Sequence, residues 1–223
     1  MDHNLPDVGI ELVDKGFEQF REFGKSLTPL DNKTVWFCNL LVSLINSVLL
    51  EYHYLKIGYE KRTMVLAWAC RNLLELDVFT KYVLVSEANA RRFIGDRLID
   101  GNDIFTSLRM LQLHLNPNSD VTLIDQTVAA AKTQMATEGI TASKYLATSS
   151  LAKAVGMKED YACMNRVCSK LVHPTAWSVL TMNNEGEFGR FRQIFFQSGA
   201  TYGIQVYDAI EKHVDAHGAK PTP

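Results

Sequence analysis

The sequence predicts an all-α protein: a bundle of long antiparallel helices with shorter helices packed around it. Three observations predict this class. Apolar residues recur at helical spacing, no stretch alternates apolar and polar residues as a strand does, and no glycine-rich nucleotide-binding loop is present. The chain has 223 residues, of which 47% are hydrophobic and 22% charged, a composition typical of soluble globular proteins. We predict one helical domain over residues 1–215 and a disordered tail over 216–223.

Apolar stripes and turn residues indicate the first three helices. An apolar residue recurs every three or four positions over residues 8–23, and Gly24 follows. A second helix is expected over about 34–57, with Gly58 breaking the chain after it. A third follows over about 60–85. Because the second and third helices are apolar almost all round, we expect them at the centre of the bundle.

The second half of the chain is also helical, with more frequent interruptions. Further helices are predicted, in chain order, over residues 88–115, 120–137, 160–173 and 192–213. Gly101 is a possible break in the first of these, and Asp120 or the serine before it can cap the second. Residues 139–156 are less regular and predict one or two short helices. Residues 182–189 read as a turn or hairpin tip.

Charge and cysteine content exclude several classes of function. The net charge of −2 argues against a large basic surface for duplex nucleic acid or anionic membranes. The four cysteines form no CxxC pair, so we expect buried, reduced thiols and no zinc site. His213 and His217 have the spacing of metal ligands, but a third ligand is lacking, and a solvated helix end is the prediction. We expect no metal and no cofactor.

The sequence also predicts a cytoplasmic location without membrane association. The N-terminal stretch MDHNLPDVGI lacks the basic and apolar regions of a signal peptide. The most apolar run, residues 35–50, is shorter than the ~20 residues that span a bilayer, and several polar residues interrupt it. We therefore interpret this run as a core helix.

The stretch NRVCSKLVHP, residues 165–174, is the strongest candidate for a functional site. Helical spacing puts Arg166, Ser169 and His173 on one face, and Pro174 disfavours helical geometry at the residue before it. A histidine beside the unpaired carbonyls of a helix end favours its protonated form, so it could donate a proton or hold a phosphate. The alternative is structural: His173 caps carbonyls, Arg166 is an ordinary surface arginine, and Ser169 only packs.

A second group of polar residues lies in the third predicted helix. Arg71 and Glu75 are one turn apart among apolar neighbours, where a charged pair needs compensating hydrogen bonds. One interpretation is an ion pair that fixes the register of the bundle. The other is a polar pocket in which the pair faces Ser169 and His173. A stripe on the preceding helix predicts either a close packing seam or part of the same pocket; it consists of Asn39, Ser43 and Asn46.

Residues 165–174 resemble the motif of the HEPN superfamily, an arginine followed after four to six residues by a histidine. Here six residues separate Arg166 from His173. RNLLE at 71–75 is similar to the R-x-x-x-E helix of a bacterial all-helical family related to HEPN proteins. The downstream YR-x-x-S-x-x-[VL]-H-P pattern of that family is matched at Arg166, Ser169, Val172, His173 and Pro174, with Asn165 where an aromatic residue is commoner. The resemblance covers about residues 35–180.

The resemblance implies a HEPN-like helical bundle and a metal-independent endoribonuclease of a toxin–antitoxin or phage-defence system. His173 would move protons while a ribose 2′-hydroxyl attacks the neighbouring phosphate, and Arg166 would hold the developing charge. Arg71, Glu75 and Ser169 would support them. The implied partners are RNA, a second copy in a homodimer, and a cognate antitoxin or regulatory protein. Some HEPN-type proteins are inactive, so the alternative is a non-catalytic interaction or small-ligand-binding module.

Helix geometry adds one condition to this hypothesis. Seven residues of helix rise ~10.5 Å, and side chains lean toward the N-terminus, so Arg166 points away from His173. One phosphate can hardly contact both groups of a single chain. A two-fold dimer that joins two helix ends would remove this obstacle, and we therefore predict that activity requires a dimer.

Overall fold

The computed structural model describes residues 7–137, 146–173 and 185–222. Within these ranges the chain forms eight α-helices and no strand, which confirms the all-α class. The helices are α1 (Asp7–Ser26), α2 (Val35–Lys61), α3 (Thr63–Val85), α4 (Glu87–Leu115), α5 (Thr122–Thr137), α6 (Thr148–Ala154), α7 (Lys158–Val172) and α8 (Glu185–His217). They form two compact units: unit 1 holds α1 to α3 and α6 to α8, and unit 2 holds α4 and α5.

Helix α3 is the centre of unit 1. It packs against α2, α7 and α8, and α2 also packs against α1 and α8. The central position predicted for α2 and α3 is thereby confirmed, because their apolar residues supply most of the core. The largest fully buried side chains of these two helices are Phe37, Leu41, Ile45, Val48, Leu55, Leu66, Leu73, Leu74 and Val78. By length and apolarity alone α2 could cross a membrane, and 44% of its most apolar window is buried within the protein.

The break between α2 and α3 lies four residues later than predicted. The expectation that Gly58 ends the second helix is wrong, because α2 continues to Lys61 and the extended residue is Arg62 (φ −152°, ψ 115°). Gly58 serves close packing instead: a Cβ there would lie 2.3 Å from the backbone nitrogen of Leu66. Helix α4 is likewise unbroken through Gly101.

Aromatic contacts dock α1 onto unit 1. Phe17 stacks on Tyr52 of α2 with ring centroids 3.6 Å apart, and Phe20 meets Tyr207 of α8 edge-on at 5.1 Å. The hydroxyl of Tyr52 donates a hydrogen bond of 2.9 Å to Asp14 Oδ1. The apolar stripe that predicted this helix is therefore the face that packs.

The C-terminal segment folds back on unit 1. The sequence predicts a disordered tail from residue 216, but the helix continues to residue 217 and the chain then turns at Gly218 (φ +66°). The carbonyl oxygen of Lys220 lies 2.7 Å from His213 Nε2, and Thr222 Oγ1 donates to the carbonyl of Leu84 at 2.9 Å. Specific hydrogen bonds, which composition does not reveal, hold this segment.

The expectation that His213 and His217 form a solvated helix end is wrong for His213. Its exposed fraction is 7%, because the returning chain covers it and its ring packs on Phe37. Burial lowers the pKa of His213, so the neutral form is favoured. The two histidine rings are 4.9 Å apart, and the described part of the chain contains no cluster of three metal-ligating side chains.

Unit 2 is a helical hairpin. A turn over residues 116–121 joins α4 to α5, and Asp120 Oδ1 accepts a hydrogen bond of 2.9 Å from the Thr122 N–H. This bond confirms the predicted cap. Arg109 Nε and Asp125 Oδ1, 2.6 Å apart, tie the two helices together.

Candidate functional site

Helix α7, which carries Arg166 and Ser169 of the predicted site, is amphipathic. Its buried residues are Tyr161, Cys168 and Leu171, and they lie on the face that packs against α3 and α6. Acidic residues Glu159 and Asp160 occupy the first turn, where they interact favourably with the positive end of the helix dipole. The apolar face fixes the helix on unit 1 and leaves the opposite face for other contacts.

The helix ends where the sequence predicts. Val172 is the last helical residue of α7, and His173 is extended, with φ −94° and ψ 142°. The backbone N–H of His173 donates a 3.1 Å hydrogen bond to the carbonyl of Ser169. Pro174, which motivated the prediction, lies outside the described residues. His173 is thus the first residue beyond the helix.

Arg166 and His173 are both exposed, and helical spacing puts Arg166 on the side of α7 opposite its buried residues. Ser169 is half-buried between them, and its Oγ lies 3.4 Å from Asn165 Oδ1. The rise between Arg166 and His173 remains ~10.5 Å, because the helix is continuous to Val172. One chain therefore offers two separate polar groups to a polyanion and does not bring them to one point.

Arg71 and Glu75 form the ion pair that their spacing predicts. Nε and Oε1 are 3.1 Å apart, and the side chains are 27% and 21% exposed. The pair lies at a partly open edge of α3, beside Trp68, which is 39% exposed. No hydrogen bond or ion pair between described residues joins Arg71 or Glu75 to α7. The elements are in contact, but the predicted shared pocket stays a prediction.

The small polar stripe of α2 faces solvent. Asn39, Ser43 and Asn46 are exposed, and the hydroxyl of Ser43 donates to the carbonyl of Asn39 at 2.8 Å. Such a bond to the preceding turn satisfies the hydroxyl locally. The stripe is therefore neither an internal packing seam nor the lining of a buried pocket, and both expectations for it are wrong.

The sequence did not predict the buried carboxylate of Asp77. Asp77 of α3 is 0% exposed, and its Oδ2 accepts a 2.8 Å hydrogen bond from Lys81 Nζ. The same ammonium donates to Gln205 Oε1 of α8 at 3.1 Å and contacts the Met157 sulfur at 3.4 Å. Asp77 Oδ1 has no partner within the described ranges. The available signal was an aspartate four residues before a lysine in a mostly apolar helix.

The Asp77 carboxyl is harder to ionise than an ordinary aspartate. Burial raises its pKa from 3.8 to about 6, and the hydrogen bond from Lys81 offsets part of this effect. The folded protein therefore binds the proton more tightly than the unfolded chain. This contribution to stability is complete below about pH 3.8 and is lost as the pH rises through about 6.

The variant Asp77→Asn should remove this pH dependence. In the wild type, Asp77 should lower the free energy of unfolding by about 1–3 kcal/mol between pH 4 and 7.5, since one pKa unit is about 1.4 kcal/mol. Urea denaturation at several pH values measures the effect. The exposed control Asp208→Asn should keep the wild-type slope. Identical slopes for wild type and Asp77→Asn would contradict the prediction.

The thiols behave largely as predicted. All four cysteines are free; Cys38, Cys70 and Cys168 are buried, while Cys163 is exposed. The thiols of Cys70 in α3 and Cys168 in α7 are hydrogen-bonded, and this bond together with burial raises the pKa of Cys70. These thiols pack the helix that carries Arg166 and are poor nucleophiles.

Comparisons with known proteins give no family for the chain. No protein-family model matches it, and no curated protein or solved structure matches it either. The resemblance to HEPN proteins is therefore confined to residues 71–75 and 165–174 of the sequence.

Proposed function

We propose that the protein is a cytoplasmic, metal-independent endoribonuclease of the HEPN type that acts in a toxin or phage-defence setting. Arg166 holds the scissile phosphate and His173 carries the proton. One observation carries the proposal: both side chains are exposed, Arg166 in the middle of α7 and His173 directly after its last helical residue. If the two side chains were buried in the core, neither could contact RNA.

The proposed reaction is an internal phosphoryl transfer. The ribose 2′-oxygen attacks the adjacent phosphorus and the bond to the 5′-oxygen breaks, which leaves a 2′,3′-cyclic phosphate and a 5′-hydroxyl. His173 transfers the proton, and the Arg166 guanidinium stabilises the charge that develops on the phosphoryl oxygens. Because ~10.5 Å of helix separates the two positions, the complete site combines groups from two copies of the chain.

Incubation of purified protein with single-stranded RNA in EDTA tests the proposal. We expect cleavage products that carry 2′,3′-cyclic phosphate ends, at a rate that rises faster than protein concentration while dimers form. If the folded, dimeric protein cleaves none of the RNAs tested, the proposal is contradicted. The variant Arg166→Ala, purified in the same way, is the control, because any cleavage that it shows comes from a contaminating nuclease.

Glu75→Gln should impair cleavage without unfolding the protein, if Glu75 orients Arg166 or His173. We expect a loss of at least about 10-fold in rate, which is less than the ~10²- to 10⁴-fold effect of a general acid or base itself, because Glu75 would act only through another side chain. We also expect a shifted pH profile, since a neutral amide replaces a carboxylate. Ala substitution of Arg71 breaks the same ion pair and serves as the comparison. A Glu75→Gln protein that loses stability and keeps its cleavage rate per folded molecule would show a structural pair only.

A second candidate function is a non-catalytic interaction or ligand-binding module. It is favoured by the Arg71–Glu75 pair, which is satisfied within α3, and by the separation of Arg166 from His173. In this case the exposed Arg166 binds an acidic segment of a regulatory protein or antitoxin. RNA or acidic-peptide binding that Arg166→Ala abolishes, without any cleavage, would favour this function.

A further inference from the structure

Helix α4 carries an apolar stripe that its own unit leaves exposed over the described residues 87–137 and 146–147. Ile104, Leu108, Leu111 and Leu115 are exposed by 58%, 47%, 53% and 75%. Their spacing of four, three and four residues puts them on one narrow face of the helix, the pattern of a coiled-coil seam. Large apolar residues that align in this way mark an interaction surface more often than isolated ones do.

The hairpin has little core of its own in this region. The buried residues of α4 are Ala90, Gly95 and Leu98, all of which precede the stripe. The described side chains of α5 include none that is buried, and Leu123 near its start is 77% exposed. Since helices gain most of their stability from packing an apolar face, α4 beyond residue 98 needs another surface.

Helix α5 cannot provide that surface. It is held beside α4 by the ion pair of Arg109 and Asp125, and Arg109 lies about 100–140° around the helix from Ile104 and Leu108. The seam is therefore preformed and open, on a different side of α4 from its hairpin partner.

We propose that this seam is an interface between two copies of the chain, packed antiparallel about a two-fold axis. Leu108 meets the partner's Leu111 at the centre, and Ile104 meets the partner's Leu115 at each end. A contact about a two-fold axis requires a self-complementary surface. The four residues form one, because Leu108 and Leu115 occupy a positions and Ile104 and Leu111 occupy d positions, and each layer pairs an a position with a d position of the partner.

The residues that flank the seam favour a second copy over a charged partner. Ser107 and His114 lie on one side, and Phe105 and Gln112 on the other. In the antiparallel arrangement Ser107 faces the partner's His114, and Phe105 faces the partner's Gln112, so no like charges oppose each other. Partner helices that carry charged residues beside their seam are selected by opposite charges at these flanking positions. This seam offers no such opposite charges.

The seam is small for a specific interface, which favours a weak, reversible dimer. The four side chains of both copies together withdraw on the order of 1,000 Å² from water, the lower limit of specific interfaces. We therefore expect a dimer with a Kd in the micromolar range. The inference uses unit 2 alone and does not depend on the proposed ribonuclease activity.

Sedimentation equilibrium of the full chain between about 1 and 200 µM tests the interface. The wild type should change from the 25.1 kDa monomer to twice this mass over the range. The double variant Leu108→Glu with Leu111→Glu should stay monomeric with unchanged helical content. The matched control Leu12→Glu alters a residue that is 67% exposed on α1 and should dimerise as the wild type does.

Cross-linking tests the orientation. In a Cys163→Ser background, Ser107→Cys with His114→Cys should be joined between chains by a short bis-maleimide, whereas either cysteine alone should react much less. A wild type that stays monomeric at 200 µM overturns the proposal. So does a double glutamate variant that still dimerises, or a Leu12→Glu variant that dissociates to the same extent.

Discussion

Replacement of His173 by alanine should reduce RNA cleavage in EDTA by about 10²- to 10⁴-fold, the range for loss of a positioned general acid or base. The fold should persist, because the side chain is exposed and Tyr161, Cys168 and Leu171 supply the packing of α7. Initial rates on end-labelled RNA, with circular dichroism of each variant, measure both expectations.

Two further variants isolate the role of the imidazole. His53→Ala removes an exposed histidine of α2 and should leave the rate unchanged. His173→Gln keeps a hydrogen-bonding side chain that cannot carry a proton, and it should be as slow as His173→Ala. If His173→Ala cleaves RNA as fast as the wild type does, His173 is not the proton carrier and the ribonuclease proposal fails.

The sequence predicted the helices better than it predicted their ends. Periodicity locates α1 to α3 because these helices bury apolar stripes, and that burial is visible in residue type. Gly58 misled the prediction, since a glycine in sequence does not reveal whether it breaks a helix or admits another backbone. The packed segment after Gly218 escaped detection because single hydrogen bonds from His213 and Thr222 hold it.

In the candidate site, too, the features that depend on neighbouring residues were predicted and those that depend on distant residues were not. Local sequence predicts the end of α7 at His173 and the i,i+4 pair of Arg71 and Glu75, since both depend on neighbours within one turn. Asp77 is different: it is fully buried, and its partner Lys81 also bonds to Gln205 of α8, which is more than a hundred residues away in sequence. No local pattern states which face of α3 that helix will cover.

The largest stability effect is expected for Gly58→Ala. A Cβ at this position would lie 2.3 Å from the Leu66 nitrogen, 2.6 Å from its Cα and 2.9 Å from its Cβ. Two of these atoms are backbone, so α2 and α3 must separate where they enter the core. Overpacking of this kind costs about 1–3 kcal/mol or more, and we expect a loss at the upper end in urea denaturation.

Gly16→Ala is the matched control for this prediction. Gly16 also lies within a helix, α1, but apart from its chain neighbours and the backbone of that helix no atom lies within 4 Å of the position of its Cβ. Alanine there should raise the free energy of unfolding by up to about 1 kcal/mol, because glycine is a poor helix former. The same intrinsic gain applies at Gly58, so the difference between the two variants measures the close approach of α2 to α3. Equal effects of the two substitutions would mean that the helices are not in contact at Leu66.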